Sequence, residues 1–451
     1  MPAIFVHVSD IHFGQERDHV VHIHDDVKRE LVADAAAVVA SLPESEVKGI
    51  LVTGDIAFSG KAEQYEAAGK WLDALAAGIG CPIHRVQMVP GNHDLDRDKL
   101  SIGGSHLLEY IRQGGAADYE KVISNEDDRA TLFRRFEDYG RFCIGYNCGL
   151  DLEAKLATNL RIEVGPGRWI RFVRLNSSLL CHGKEWLDPP ELVIGERQFI
   201  IPRNVGEENV VLVHHPLNWY KDEAQVRDYV RSRARVFISG HEHNPTVKID
   251  KVEDGCDVMM LAAGAAVPFK SNDEYTYTYN IIEFDWEDAT DCLVVTMHPR
   301  AWNPKNTCFE ADEKRLGGEE PRFTLGSPNF RKLGAAAPAQ GVARVTGEVA
   351  SEPTVELVHA EDVEITAGEE PQMPPYVEGY ELAMLRFFRD LYESERLKIL
   401  VDLDALPAES DERMSQGLEL RLFDWLARQG RLTEVVTMID RLIDERDERD
   451  A

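Results

Sequence analysis

Five short apolar runs before residue 250 each end in a polar turn: IFVHVSD at 4–10, GILVTGD at 49–55, HRVQMVPGNHD at 84–94, NVVLVHHP at 209–216 and ARVFISGHEH at 234–243. Such runs, about five residues long and rich in β-branched side chains, predict buried strands. Between the first two, Val27, Leu31, Ala35, Val38 and Val39 recur at helical spacing and predict a helix over about 26–41; another is predicted over 62–78. Buried strands alternating with helices imply an α/β core with helices on its faces. The runs WIRFVRLNSS, DVMMLAAGA, YTYNIIEFDW and CLVVTMHPR alternate polar and apolar positions and are expected to be antiparallel. A mixed sheet, or two packed sheets, is therefore predicted.

The rhythm breaks twice. Residues 103–156 read as largely helical, an insertion or cap within a first unit spanning 1–333. From 334 to 375 the chain is rich in Pro, Ala and Glu and reads as an extended linker containing one strand-like piece, TVELVHAEDVEI. Residues 376–451 are helical again. Leu382, Leu385, Phe388, Leu391 and Tyr392 share one helix face, and Leu418, Leu422, Phe423 and Leu426 share another, ended by Gly430. Leu432, Val435, Val436, Ile439, Leu442 and Ile443 form a third face. A small all-α bundle is predicted, closed by a solvated charged tail.

Composition adds limits. The 451 residues suggest two or three domains, at roughly 100–200 residues each. No apolar run reaches the roughly 18 residues that span a bilayer. MPAIFVHVSD has neither the basic start nor the cleavage site of a secretory signal, so a cytoplasmic protein without membrane attachment is expected. The seven cysteines are scattered and form no CxxC pair, which fits reduced thiols. A net charge of −30 argues against broad binding to a nucleic-acid backbone, which needs Lys and Arg to displace counterions.

The strand ends carry the chemistry. They deliver Asp10 and His12 as D-x-H, Asp55 in G-D, Asn92, His93 and Asp94 in G-N-H-D, His214 and His215 in H-H-P, and His241 and His243 in G-H-x-H. Ligands gather beyond the carboxyl ends of strands in open α/β sheets, so these residues are expected to share one crevice. Their oxygen and imidazole donors suit manganese, iron, zinc or nickel better than calcium. Asn176, at the end of another apolar run, could face the same crevice or close a plain turn. His19, His22, His24, Asp25 and Asp26 also gather possible ligands, but they lie where a loop enters a helix and Asp is a favoured cap.

This ordered set resembles the calcineurin-like metallophosphoesterase superfamily over roughly residues 1–310, with every ligand of the family pattern present. The resemblance implies a four-layer sandwich, two mixed β-sheets packed together and flanked by helices. It implies that Asp10, His12 and His243 hold one metal ion, that Asn92, His214 and His241 hold the other, and that Asp55 bridges them. His93 would protonate the leaving oxygen, oriented by Asp94, while His215 would support a ligand or face substrate. Two ions about 3.5–4 Å apart would clamp a phosphate and supply a water-derived nucleophile near neutral pH. Manganese is the expected pair, with iron, zinc or nickel as alternatives.

The carboxy-terminal helices, with D-x-L-P followed by W-L-x-R-x-G-R-L-x-E at Trp425–Glu434, resemble the death-fold-like adaptor domains of bacterial effectors. That implies a protein partner, and a generic oligomerisation bundle is the alternative. The leading expectation is a phosphodiesterase acting on a nucleotide-type, cyclic-nucleotide-like substrate and recruited through the bundle in a bacterial signalling or defence system. A DNA or RNA nuclease would need a basic groove, for which Arg97, Lys99, Arg134, Arg135 and Arg141 are the candidates. A phosphoprotein phosphatase and an inert signalling scaffold complete the alternatives.

Overall fold

The computed structural model describes residues 1–15, 21–42, 46–150, 155, 157–183, 185, 187–252, 257–268, 277–316, 320–331, 378–406 and 416–450. The expected linker at 334–375 and His19 lie outside the described residues. In chain order the first unit contains β1 (Ala3–Val8), α1 (Val21–Ala40), β2 (Glu46–Val52), α2 (Ala62–Gly78), β3 (Val86–Met88), α3 (Ile102–Gly114), α4 (Ala116–Ser124), α5 (Glu126–Phe133), α6 (Glu137–Gly145), β4 (Ala157–Gly165) and β5 (Arg168–Arg174). It continues with α7 (Glu196–Phe199), β6 (Glu207–Leu212), α8 (Glu223–Arg233), β7 (Ala234–Ser239), β8 (Thr246–Asp250), β9 (Val258–Ala262), β10 (Thr278–Glu287), β11 (Cys292–Asn303), β12 (Cys308–Ala311), β13 (Arg322–Leu325) and α9 (Pro328–Arg331).

The strands form two mixed sheets with helices outside them. One has the order β12-β11-β10-β1-β2-β3, with β13 also on β11; β1, β2 and β3 run parallel and β10 antiparallel to β1. The other has the order β4-β5-β6-β7-β9-β8. The expectation that the β5 and β9 runs are antiparallel holds on one side only. Each is parallel to its inner neighbour, β6 or β7, and antiparallel to an edge strand, β4 or β8. Alternation marks burial of two unlike faces and does not reveal strand direction.

Every other residue along a strand faces the opposite layer. In β1, Ala3 and Phe5 enter the core between the sheets, while Ile4, Val6 and Val8 face the helices. Phe5, Phe172 and Phe284 meet between the sheets with ring centroids 4.9, 5.9 and 6.0 Å apart. Burying such rings is worth about 1.5–3 kcal/mol each, which locks one sheet on the other.

The carboxy-terminal helices are α10 (Tyr380–Leu385), continued by a wider turn at Arg386–Asp390, then α11 (Glu393–Asp402), α12 (Gln416–Arg428) and α13 (Leu432–Asp450). Their own core gathers Phe387, Phe388, Ile399, Leu400, Phe423, Leu426, Val435 and Ile439. Two residues assigned to a buried face are solvated instead: Leu382 is 39% and Tyr392 65% exposed. The wide turn rotates the face they would share, and Tyr392 becomes the residue preceding α11. The charged tail continues α13 as helix rather than leaving it.

The bundle sits on α2 and α6. Arg389 Nη1 lies 2.7 Å from Asp73 Oδ1 and 3.2 Å from the Tyr146 hydroxyl, and Glu381 takes Arg85 at 3.2 Å and His84 at 3.3 Å. Leu385 enters the core of the first unit and Ile144 enters that of the bundle.

Candidate metal centre

The expected residues leave the carboxyl ends of strands from both sheets. Asp10 and His12 follow β1, Asp55 follows β2, and Asn92 and His93 follow β3; His214 follows β6, and His241 and His243 follow β7. Backbone bonds fasten these turns together: Asp10 N to Gly54 O at 3.0 Å, His12 N to Asp55 O at 3.0 Å and Gly240 N to His214 O at 2.8 Å. His214 Nδ1 reaches Thr53 O at 2.8 Å and ties the second sheet to the first.

Five of these residues hold the left-handed backbone: Asp10, His12, Asp55, His241 and His243 have φ of 53°, 53°, 52°, 72° and 54°. That conformation costs a non-glycine residue of order 1–3 kcal/mol and persists where the surroundings over-determine it, which is common at functional sites. Glycines make the close approach possible. A Cβ at Gly91 would meet Asp55 Oδ1 at 2.1 Å, and Gly54, at φ +95°, lies against His214.

The donor atoms converge. Asp55 Oδ2 stands 3.2 Å from His12 Nε2 and 3.4 Å from His214 Nε2. His243 Nε2 is 3.1 Å from Asp10 Oδ1, and His214 Nε2 is 3.0 Å from Asn92 Oδ1. Within each of the groups Asp10–His12–His243, Asp10–Asp55–His214 and His214–His215–His241, one donor atom per residue lies within 4.8 Å of the others. Such a buried cluster of carboxylates and imidazoles fits divalent ions.

Electrostatics agree. Burial would raise the Asp10 and Asp55 carboxyls, yet His243 and His214 hold Asp10, and His214 and His12 hold Asp55, well below the carboxylate range. Burial opposes charge on His214, but Asp55 and Asp10 raise it to about 9. Burial and then His214 push His241 down to about 4, which leaves a neutral ring able to ligate.

The sequence pattern of the calcineurin-like phosphoesterase family matches residues 4–245, more than half of the chain. The chain belongs to that family. The pattern of the GTPase-associated adaptor domain matches residues 379–441. Over 291 residues, 61% of the chain, it is 32% identical to YydB of Bacillus subtilis (strain 168), described as an uncharacterized metallophosphoesterase-like protein; the chain spans 55% of that relative. Among solved structures, Chaetomium thermophilum Vps29 aligns with 72% of this chain and 99% of its own at 10% identity and a TM-score of 0.28. The NAD nucleotidase of Haemophilus influenzae aligns with 74% of this chain and 59% of its own at 10% identity and a TM-score of 0.33. Both are too distant to inform on substrate.

Around the Asp and His cluster of this calcineurin-like phosphoesterase lies a shell that sequence reasoning did not name. His12 Nδ1 meets Val267 O at 3.3 Å, and Ser9 Oγ donates to Asp10 Oδ2 at 2.5 Å. Partners of this kind set the ring tautomer and orientation of metal ligands. Backbone carbonyls leave no residue-type signal, so Val267 and Thr53 could not be found by motif.

His93 and Asp94 separate. His93 Nδ1 bonds to Phe58 O at 2.8 Å, and its ring stacks on Phe58 at 5.2 Å and 23°. Asp94 does not orient it, which corrects the expectation from the family motif. The Asp94 carboxylate accepts from Gly91 N at 2.9 Å, Ile56 N at 3.2 Å and Ala57 N at 2.9 Å, and so ties the turn after β2 to that after β3. Asp94 is thus engaged by the backbone of both turns, while the His93 ring is held by the Phe58 carbonyl.

His215 is buried beside the second set. Its ring centroid is 4.4 Å from that of His241, and Nδ1 pairs with Ser177 Oγ at 2.8 Å. Asn176 Oδ1 accepts from Ser178 N at 2.9 Å, the bond of a turn. Among the described residues the early His22–Asp26 stretch forms no metal-ligating group, and it lies within α1.

Proposed function

We propose that the chain is a dinuclear-metal-dependent phosphoesterase, and most specifically a phosphodiesterase for a nucleotide-type, cyclic-nucleotide-like substrate. The observation that carries this is the position of Asp55 Oδ2, which faces His12 of one ligand set and His214 of the other. In this reading Asp10, His12 and His243 hold one ion, Asn92, His214 and His241 the second, and Asp55 both. The ions would bind phosphate oxygens and make a nucleophile available from water near neutral pH. His93 faces the same cluster, with Nδ1 fixed on Phe58 O, and would donate a proton to the leaving oxygen. Burial lowers its affinity for that proton, which makes it a stronger acid once protonated.

Manganese is the proposed pair and the cytosol the proposed location, the latter supported by six described cysteines, none of them paired. No helix among the described residues is long and apolar enough to cross a membrane. Residues 1–333 are proposed as the catalytic unit and 376–451 as an adaptor that binds a protein partner, supported by the adaptor-domain match. The nuclease alternative loses much of its basic groove. Arg135 is buried and donates to the carbonyls of Leu132, Leu179 and Cys181, while Lys99 and Arg141 pair with Glu137 and Asp138.

The test uses full-length protein stripped by chelator and reloaded with manganese, iron, zinc or nickel. Hydrolysis of bis(p-nitrophenyl) phosphate, restored by at least one metal, is expected. Absence of turnover with all four would sink the reading.

A further inference from the structure

In the turn beyond the Gly91–Asp94 motif most charges are paired off. The turn following Gly91–Asp94 carries Asp96, Arg97, Asp98 and Lys99 in succession. Lys61 Nζ lies 2.7 Å from both Asp96 Oδ1 and Asp98 Oδ2, so one lysine occupies both acids that flank Arg97. Lys99 is taken by Glu137 at 3.1 Å and Asp138 at 3.0 Å. Arg97 is exposed and, among the described residues, makes no ion pair or side-chain hydrogen bond.

Its position is defined by contact. An added Cβ on Gly183 would lie 2.9 Å from Arg97 Cζ, so the guanidinium rests directly on that backbone. The segment ending at Gly183 is itself anchored at the metal centre. Cys181 Sγ is 3.8 Å from His215 Nε2, and the carbonyls of Leu179 and Cys181 are held by the buried Arg135. Arg97 itself stands four residues beyond His93, on the turn that continues Gly91–Asp94. The guanidinium thus lies between the turn that presents Asn92 and His93 and a segment in contact with His215.

We propose that Arg97 is a substrate-positioning residue that binds a second phosphate carried on the leaving group, so that the substrate is a nucleotide with two phosphate groups. This rests on the phosphoesterase reading above. The reaction itself is unchanged: water oxygen bonds to the first phosphorus, its P–O bond to the leaving nucleoside breaks, His93 supplies the proton to that oxygen, and water releases one. Arg97 touches only the phosphate that stays intact. Arginine suits this task because its planar fork meets phosphate oxygens in pairs.

The experiment compares kcat/KM of the manganese-loaded full chain for a dithymidine phosphodiester with and without a further phosphate at either end. Wild type is expected to favour one phosphorylated form by about 10- to 100-fold, the worth of a charge-assisted contact. Arg97→Ala should abolish that ratio, mostly through KM, and Arg97→Lys should restore part of it. The ratio is insensitive to a general loss of active protein, so a merely structural role would leave it unmoved. No preference in wild type, or the same preference in Arg97→Ala, would overturn the proposal. Failure of wild type on these substrates and on bis(p-nitrophenyl) phosphate as well would instead overturn the phosphoesterase reading beneath it.

Discussion

The Tyr65 hydroxyl lies 3.1 Å from the carbonyl oxygen of Asp94 and 3.1 Å from its carboxylate Oδ1. Through that carboxylate α2 supports the turns that present Asp55, Asn92 and His93. Burial, and then the charge of Asp55, raises the Asp94 carboxyl to about 6 despite three backbone donors, so the extra donor matters. Tyr65 also stacks on Phe142 at 5.2 Å, and Phe142 meets Tyr146 at 5.2 Å. Tyr146 in turn meets Arg389 of the bundle, giving continuous packing from the adaptor helices to the metal centre.

Tyr65→Phe keeps the ring packing and removes only the hydroxyl. A stability loss of about 1–2 kcal/mol is expected in chemical denaturation, with a lower kcat as the two turns loosen. Unchanged stability and turnover would show that the three backbone donors suffice for Asp94.

Asp55→Asn and His93→Asn should fail differently. The first is expected to lose both ions, read by elemental analysis of dialysed protein, and activity with them. The second should retain its ions while kcat falls by about 10²- to 10⁴-fold, the usual worth of a general acid. Loss of both ions from His93→Asn would make that residue a ligand instead.

Arg389→Ala breaks contacts to Asp73 and Tyr146 across the bundle interface. A double-mutant cycle with Asp73→Ala is expected to give a coupling of about 1 kcal/mol, because Asp73 is partly exposed and solvent screens the pair. Additive effects would mean that the contact does not help to hold the bundle.

Glu208 offers a pH test remote from the metals. Burial raises its carboxyl to about 7, although Arg235 and the Asn329 backbone pull it down. The folded state then keeps a proton that the unfolded chain releases near 4.5. Stability is therefore present below that pH and lost as pH rises through about 7, by about 3 kcal/mol at most. Glu208→Gln cannot ionise, so its melting temperature should lack that decline between pH 5 and 8. Parallel pH profiles for the two proteins would refute the assignment.

Much of this was legible in the residues. Motifs such as GNHD are local, because adjacent side chains on a turn are placed by a few backbone angles. The five strands and α2 were visible because burial on both faces produces apolar runs, and burial on one face produces helical periodicity. Strand direction in β5 and β9 was not visible, and neither was the exposure of Leu382, since both depend on neighbours distant in the chain. The role of Asp94 is hidden for the same reason: its partners include the N–H groups of Ile56 and Ala57, from another turn.

By itself, then, the sequence determined which donors the protein owns and the order in which strands deliver them. Tertiary structure alone decided that Asp55 Oδ2 lies between His12 and His214, that the bundle rests on α2 and α6, and that Lys61 occupies both neighbours of Arg97. Residue types and short spacings are properties of the chain. Distances between residues far apart in it are set only when the two sheets pack and bring their strand ends together.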